Sequence, residues 1–540
     1  MSGWNLADIM EAVAQAHPAA PAQAQGDRAT NWADLDRRAE AVAAALVERS
    51  ARRQEKVAQY LYNGPEYLET VVASFKAALV PVNTNYRYQD AELLYLWDNA
   101  DVVAVVFHGT FTERIEGLRA RLPKIHTWLW VDDGSGARPE WAVDYEQIAE
   151  SGARLELPWL RSGDDLLLLY TGGTTGIPKG VMWRQDDLLQ IYNRARLPAP
   201  YDVTRGVDGI RQQKAAEGPG RVVLPASPLM HGTGLLTGLM TLVSGGSVIT
   251  LASRRFDPVE MLDAIDRFHV EGTAIVGDAF ARPLVEALDA NPGRWNISSL
   301  LGITSSGVMW SEEVKRGLLR HHPTVILRDA LGSSESIGMA NSESTGAAAE
   351  RTAKFKLGDF ATVLDDAGKP VAPGSGAIGR IAVRGNLPVG YYKDEEKTAR
   401  TFIVYDGVRW SIPGDYATVE ADGSIALLGR GSVCINTGGE KVFPEEVEEA
   451  LKSHPEVRDA VCVGVPDTRF GEAITAMVEP AEGQSPTEAD LISWVKERLA
   501  HYKAPKRVLH VDTLGRSPSG KVDYKGLKQL ALRRLGLDAR

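Results

Sequence analysis

Helical and strand-like spacings of apolar residues alternate from about residue 30 to 380, which predicts layered α/β structure. Trp32–Glu48 has the helical period, and residues 102–107, 165–170 and 325–327 read as buried strands. The opening MSGWNLADIMEAVAQAHPAAP predicts an amphipathic helix, not a signal peptide, because acidic residues come early and no basic start precedes an apolar core. Leu235–Ser253 is uncharged, but Gly245-Gly246 splits it, so a helix followed by a buried strand is expected rather than a membrane span. Residues 193–220 are polar, basic and proline-containing and predict a surface loop. Near 410–430 the pattern shortens. ATVEADGSIALLGR reads as a hairpin turning at Asp422-Gly423. Beyond Arg430, Pro444 opens a helix, strands follow at 461–465 and 474–478, and Ser485-Pro486-Thr487-Glu488 predicts a capping box with proline at the first helical position. That last helix would bury Leu491, Val495 and Leu499. A large α/β domain at 1–430, with layered sheets and helices plus a β-rich part, and a small α+β domain at 431–540 are expected.

Length supports this division, since 540 residues exceed one ordinary core. No short-period repeat is present. Hydrophobic residues at 44% and charged residues at 24% describe a globular chain, and a net charge of −11 argues against a nucleic-acid coat while allowing a local basic site. Cys434 and Cys462, without a C-x-x-C pair, suit a reducing cytoplasm.

The stretch LLLLYTGGTTGIPKGVMW, 166–183, places small and hydroxyl residues between two apolar runs. It is not the usual phosphate loop G-x-x-x-x-G-K-[ST]: Pro178 stands at the final glycine, Gly180 replaces the magnesium-binding hydroxyl, and both flanks read as strands. Thr171, Gly172, Gly173, Thr174, Thr175 and Gly176 nevertheless offer backbone N–H groups and hydroxyls, and Lys179 adds a charge, so a phosphate cradle is favoured over a solvated hairpin loop.

YTGGTTGIPKG resembles the signature of adenylate-forming enzymes: acyl-CoA synthetases, luciferases and peptide-synthetase adenylation domains. The resemblance covers nearly the whole chain, with the other motifs in order. It implies that the loop handles the β- and γ-phosphates of ATP, with Thr175 acting in catalysis. In ASPLMHGTGLLTG, His231 would line the carboxylate site. SSGVMWS would place Ser306, Gly307 and Val308 along the purine, together with Asp329, Ala330, Leu331, Gly332, Ser333 and Ser334 of DALGSSESIGM. Glu335 would bind Mg²⁺, a hard cation needing few protein oxygens. Leu331 departs from the family's usual tyrosine and would replace adenine stacking by apolar contact. Asp415 would accept hydrogen bonds from both ribose hydroxyls, and Arg430 would contact ribose or phosphate. Pro413 stands where the family usually has threonine. Ser432 occupies the hinge in place of Asp or Lys, which implies a small mobile C-terminal domain. Gly438, Gly439 and Lys441 would border the CoA channel, and Lys521 matches the catalytic lysine.

The resemblance implies ATP, Mg²⁺ and CoA as cofactors and a small carboxylic acid as partner. No nucleic acid and no integral membrane segment are expected. A homodimer is admitted, though no residue pattern decides it. PLMHGTG lacks the acid that would hold an α-amino group, and 235–242 with VGDAFARPL (276–284) predict an apolar pocket. GVMWRQDD, MHGTG and INTGGEKVFPEEVE most resemble bacterial fatty-acyl and sterol-side-chain CoA ligases. The rival functions are adenylation of an aromatic or other acid, carrier-protein loading, a luciferase-like oxygenase, a non-catalytic nucleotide-binding regulator and a P-loop NTPase.

Overall fold

The computed structural model of the chain describes residues 3–172, 178–195, 199–307, 310–346, 354–430, 435–437, 440–467, 471–499, 501–517 and 522–537. Helix α1 (Leu6–Ala16) starts where Asn5 accepts from the Ala7 N–H, and it buries Leu6, Ile9, Met10 and Val13. Helix α2 (Trp32–Glu48) is capped alike, by Asn31 accepting from the Asp34 N–H.

Among the described residues the first sheet has eight strands. Three of them carry the site: β1 (Val80–Asn83), β2 (Leu166–Gly172) and β3 (Pro178–Arg184). The LLLLY run is apolar at every position because both faces of this sheet are covered. Leu167 and Leu169 face the core shared with α1, α2 and α3 (Gly232–Val243), whereas Leu168 and Tyr170 face a second core with Leu93, Trp97 and Trp128.

The segment 193–220 departs from expectation. Gly206–Glu217 is a helix, opened by Gly206 at φ +69° and closed by Gly218 at φ +83°. An internal glycine, Gly209, and a mostly polar surface mask the period. Lys214 docks it by donating to the Ser244 carbonyl at 2.9 Å.

The second sheet has an antiparallel pair at its edge, Pro21–Gln25 with Arg28–Asn31, and then runs parallel. Helix α4 (Asp278–Ala290) precedes β4 (Gly302–Ser306), and α5 (Glu312–His321) leads into β5 (Ile326–Ser333). Strand β6 (Ser336–Ser344) then turns back against β5, and the sheet continues through antiparallel strands. The chain briefly rejoins the first sheet as β7 (Gly390–Tyr391) on β3, followed by helix α6 (Glu395–Thr401). Strands β8 (Asp415–Val419) and β9 (Ile425–Arg430) form the expected hairpin, with Asp422 accepting from the Ser424 N–H and Gly423 at φ +83°.

Strands after residue 435 make the third sheet. Helix α7 (Pro444–Lys452) precedes the long antiparallel pair β10 (Val457–Asp467) and β11 (Gly471–Pro480). α7 and α8 (Glu488–Lys496) cover one face through Val447, Leu451, Leu491 and Val495. α9 (Tyr524–Arg534) covers the other through Leu527 and Ala531. The expected capping box is shifted. Thr487, not Ser485, is the N-cap and accepts from the Asp490 N–H, so Pro486 lies outside the helix. Glu488 accepts instead from the Val508 N–H and ties the helix to the neighbouring strand. Leu499 lies beyond the helix and is partly buried. The fold is thus a large layered α/β body with a small α+β lobe. Among the described residues, no helix is long and apolar enough to cross a membrane.

Candidate functional site

Strands β2 and β3 pair Thr171 with Lys179 and Gly172 with Pro178, which places these residues together at the end of the hairpin next to residues 173–177. Gly173, Thr174, Thr175 and Gly176 lie outside the described residues. A Cβ at Gly180 would stand 2.6 Å from the Tyr170 ring, so only glycine lets that ring lie across the hairpin. Asn83, at the end of β1, sets the hairpin's position. Its side-chain amide donates to the Tyr170 carbonyl at 2.8 Å and to the Met230 carbonyl at 2.6 Å, and it accepts from the Tyr170 N–H at 2.6 Å. A buried side chain therefore bonds both main-chain polar groups of Tyr170 and joins the hairpin to the start of α3. Nothing in its local pattern announces this role, because the three partners are remote in sequence.

His231 is the N-cap residue of α3 and is half-buried. Gly232 follows, where a Cβ would lie 3.2 Å from Leu169 and 3.9 Å from the Ser334 hydroxyl. The histidine turn thus abuts both the β2 strand and the tip of the β5–β6 hairpin.

That tip carries Glu335. Ser333 pairs with Ser336, leaving Ser334-Glu335 as a two-residue turn. Three outside groups hold it. The Trp183 indole donates to the Ser334 carbonyl at 2.9 Å, the Ser411 hydroxyl donates to the Glu335 carbonyl at 2.9 Å, and the Tyr391 hydroxyl donates to Glu335 Oε1 at 2.5 Å. Oε2 accepts no bond from the described residues. Among those residues, no three His, Cys, Asp or Glu converge as a ready-made metal cage. A single oriented carboxylate fits Mg²⁺, which takes few protein ligands and completes its shell with phosphate and water oxygens.

The expected nucleoside residues before Asp415 lie on two adjacent interior strands of the second sheet. In the parallel β4–β5 pair, Ser306 stands beside Ala330, and Gly307 follows with φ +91°. Such carboxyl ends of parallel strands are where open α/β sheets bind ligands. Val308 lies outside the described residues. Leu331 is half-buried against the β-rich core, and Gly332 and Ser333 continue to the hairpin tip. Asp329 is buried and faces the fully buried Lys315 of α5 at ion-pair distance, without an aligned hydrogen bond. Burial pushes its carboxyl up to about 6, against the pull of the Lys315 ammonium. Lys315 went unread in the sequence because only the fold brings it under Asp329. Asp415 is buried at the start of β8 and pairs across the ladder with Arg430, whose side chain is not described.

Lys179 meets Asp394, the N-cap of α6, at 2.8 Å; this carboxylate raises the lysine above its usual range. The segments expected to line an acyl pocket are largely buried. Leu235, Leu239 and Leu242 are buried in the core between the sheets, and Phe280, Ala281 and Leu284 in a separate core. Apolar residues on a helix covered by sheets serve packing first, leaving Leu236 and Thr237 half-buried.

The small lobe touches the large body beside β9. Phe443 packs on Tyr416 with ring centroids 5.6 Å apart. A Cβ at Gly429 would meet a Glu445 carboxylate oxygen at 2.1 Å. Ser432, Gly438, Gly439 and Lys521 lie outside the described residues, and Lys441 is described only as backbone paired with Asn436. The flanks of Lys521 are anchored: Arg516 donates to Asp459 at 2.9 Å, and the Tyr524 hydroxyl lies 3.3 Å from the buried Glu448.

Residues 10–392 match the family described as AMP-binding enzyme, and residues 446–521 match the AMP-binding enzyme C-terminal domain. The chain is 40% identical over 532 residues to a medium/long-chain-fatty-acid–CoA/3-oxocholest-4-en-26-oate–CoA ligase of Mycolicibacterium smegmatis, covering 97% of this chain and 96% of that protein. It is 40% identical over 540 residues to a 3-oxocholest-4-en-26-oate–CoA ligase of Rhodococcus rhodochrous, covering 97% and 95%. Among solved structures, ATP-bound MatB from Rhodopseudomonas palustris is 26% identical with a TM-score of 0.78, covering 96% of this chain and 98% of that one. The anthranilate CoA ligase AuaEII in complex with anthranoyl-AMP shares the fold at 21% identity, with a TM-score of 0.82 and 99% of both chains covered.

Proposed function

The chain belongs to the AMP-binding enzyme family, and from that premise we propose that it is an ATP-dependent acid–CoA ligase that activates a hydrophobic carboxylic acid as its acyl-adenylate. The observation that carries this reading is the near-full-length similarity to curated CoA ligases, with matches to both family segments on one chain.

The acid's carboxylate attacks the α-phosphorus of ATP and pyrophosphate departs. CoA thiolate then attacks the acyl carbonyl, AMP departs and the thioester forms. In this reading the turn after Tyr170 holds the β- and γ-phosphates with its N–H groups, and the hydroxyls of Thr171, Thr174 and Thr175 add donors. Lys179 adds positive charge there. Ser306, Gly307 and Val308, with residues 329–334, bound the purine. Asp415 accepts from the ribose hydroxyls and Arg430 donates beside it. His231 borders the carboxylate. Lys521 bridges carboxylate and α-phosphate oxygens, lowering their repulsion as they approach. Glu335 would hold Mg²⁺, which when bound neutralises the departing pyrophosphate. The domain boundary falls between 430 and 431. The lobe turns about Ser432 so that CoA enters past Gly438, Gly439 and Lys441 in the second half-reaction.

The acid is a fatty acid or a sterol side-chain carboxylate. The printed activities of the M. smegmatis and R. rhodochrous relatives favour these classes, as does the absence of an acidic residue in PLMHGTG to hold an amino group. The reading places the enzyme in the cytoplasm. Sedimentation of the purified chain decides between monomer and homodimer. The functional test incubates the chain with ATP, Mg²⁺, CoA and a panel of fatty, aromatic and sterol side-chain acids. AMP, pyrophosphate and thioester in equal amounts with a hydrophobic acid are expected. ADP or orthophosphate as product overturns the reading. Thioester formed only on a carrier protein marks a loader, and light without CoA marks a luciferase-like enzyme.

A further inference from the structure

We propose that the segment Gly390–Asp394 is a positioning strap that sets Lys179 and Glu335 in register with each other, through Asp394 and Tyr391 respectively. The proposal rests on the reading of Lys179 and Glu335 as nucleotide-side groups.

The two groups come from different sheets. Lys179 sits at the start of β3 in the first sheet, and Glu335 sits at a turn of the second. One short segment contacts both. The Tyr391 hydroxyl donates to Glu335 Oε1 at 2.5 Å, and the Asp394 carboxylate meets the Lys179 ammonium at 2.8 Å.

The strap is itself held along its length. Gly390 and Tyr391 pair with Met182 and Val181 of β3, and the Tyr392 N–H donates to the Gly180 carbonyl at 2.8 Å. The Tyr391 N–H donates to the Thr398 hydroxyl at 2.9 Å. Gly390 has φ +156°, and a Cβ there would stand 2.5 Å from Thr398, so the close approach requires glycine. Lys393 takes φ +53°, and Asp101 receives both the Lys393 ammonium at 2.6 Å and the Tyr392 hydroxyl at 2.8 Å. Asp394 caps α6 by accepting from the Lys397 N–H at 3.0 Å. Neither contact to the nucleotide-side groups therefore depends on a loose side chain.

The chemistry of each contact suits positioning. A phenol donating to one carboxylate oxygen fixes the plane of the group and leaves the other oxygen for a hard cation, the way outer partners orient metal ligands. A carboxylate on one ammonium proton leaves the remaining donors for phosphate while fixing where the lysine stands. It also cancels a positive charge near an anionic substrate. That cost is repaid only if placement matters more than attraction.

Two double-variant cycles test the strap on the full-length chain. Asn caps a helix as well as Asp does, so Asp394→Asn keeps the cap while removing the charge. Tyr391→Phe keeps the ring. Pyrophosphate release gives kcat and the KM for ATP. Calorimetry of Mn²⁺ binding in the presence of α,β-methylene-ATP gives a readout independent of turnover. Asp394→Asn is expected to lower kcat about tenfold with a smaller change in ATP KM, to be partly rescued in Asp394→Glu, and to cause no further loss in a Lys179→Met background. Tyr391→Phe is expected to weaken Mn²⁺ about fivefold, and this effect vanishes in a Glu335→Gln background. Losses that multiply across either cycle overturn the strap while leaving the nucleotide roles of Lys179 and Glu335 intact. Lys179→Met and Glu335→Gln singles that leave ATP KM, kcat and Mn²⁺ binding unchanged overturn those roles, and the strap with them.

Discussion

Replacing Asn83 by alanine removes a side-chain amide that stands just past the point where β1 pairs with β2, at Val82 with Leu168. Three buried main-chain groups lose their partner: the Tyr170 N–H, the Tyr170 carbonyl and the Met230 carbonyl. Each buried polar group left unpaired costs roughly 1–3 kcal/mol. Relaxation and water entry recover part of this, so a net loss of about 3 kcal/mol is expected. Asn83→Asp separates hydrogen bonding from volume. It keeps the acceptor for the Tyr170 N–H but turns a carboxylate toward two carbonyl oxygens, so it should be worse than alanine at neutral pH. The assay is urea unfolding followed by tryptophan fluorescence, with the ATP KM measured on the folded fraction. The KM should rise in both variants, because Asn83 sets the hairpin carrying Thr171 and Lys179 relative to the turn carrying His231. A loss below about 0.5 kcal/mol with unchanged KM, or aspartate milder than alanine, refutes the reasoning.

Asp329, pushed up to about 6 chiefly by burial, binds a proton in the folded state that the unfolded chain releases nearer 3.8. Its contribution to stability should therefore fall as pH rises from about 4 to 6, by about 3 kcal/mol in all; Lys315→Met with Asp329→Asn should remove that slope, whereas Asp329→Asn alone strands the buried lysine and destabilises across the range. Glu11 has the opposite sign. Burial raises it, but Arg161 and Lys76 outweigh burial and pull it down to about 2, so its stabilisation should hold above about 4.5 and vanish as pH falls through 2; acid titration of Glu11→Gln against the parent checks this. Lys521→Ala should abolish adenylate formation yet still convert supplied acyl-adenylate and CoA to thioester, and equal loss of both half-reactions in a folded variant contradicts its assignment.

Much of the architecture is legible because burial on both faces leaves a direct trace. The LLLLY run is continuous since its sheet is covered on either side, and Asp422 sits where a turn needs it. The helix Gly206–Glu217 was hidden because it docks through Ile210 and a lysine stem rather than a broad apolar face. The Ser485 expectation failed for a local reason: two hydroxyl residues flank Pro486, and Thr487 rather than Ser485 reaches the helix N–H. In the candidate site the motifs name positions such as Glu335 and Asp415, but not the side chains that surround them. Asn83, Tyr391, Asp394 and Lys315 act through partners that only the fold makes near. An apolar helix such as 235–242 reads the same in sequence whether it lines a pocket or fills a core.

The most direct test follows oxygen. With a fatty acid labelled in its carboxylate with ¹⁸O, attack on the α-phosphorus followed by thiol attack on the carbonyl carries one labelled oxygen into AMP, and mass spectrometry of the nucleotide should find it there. Label appearing in orthophosphate, with AMP unlabelled, would mean that an acyl phosphate and not an acyl-adenylate was formed.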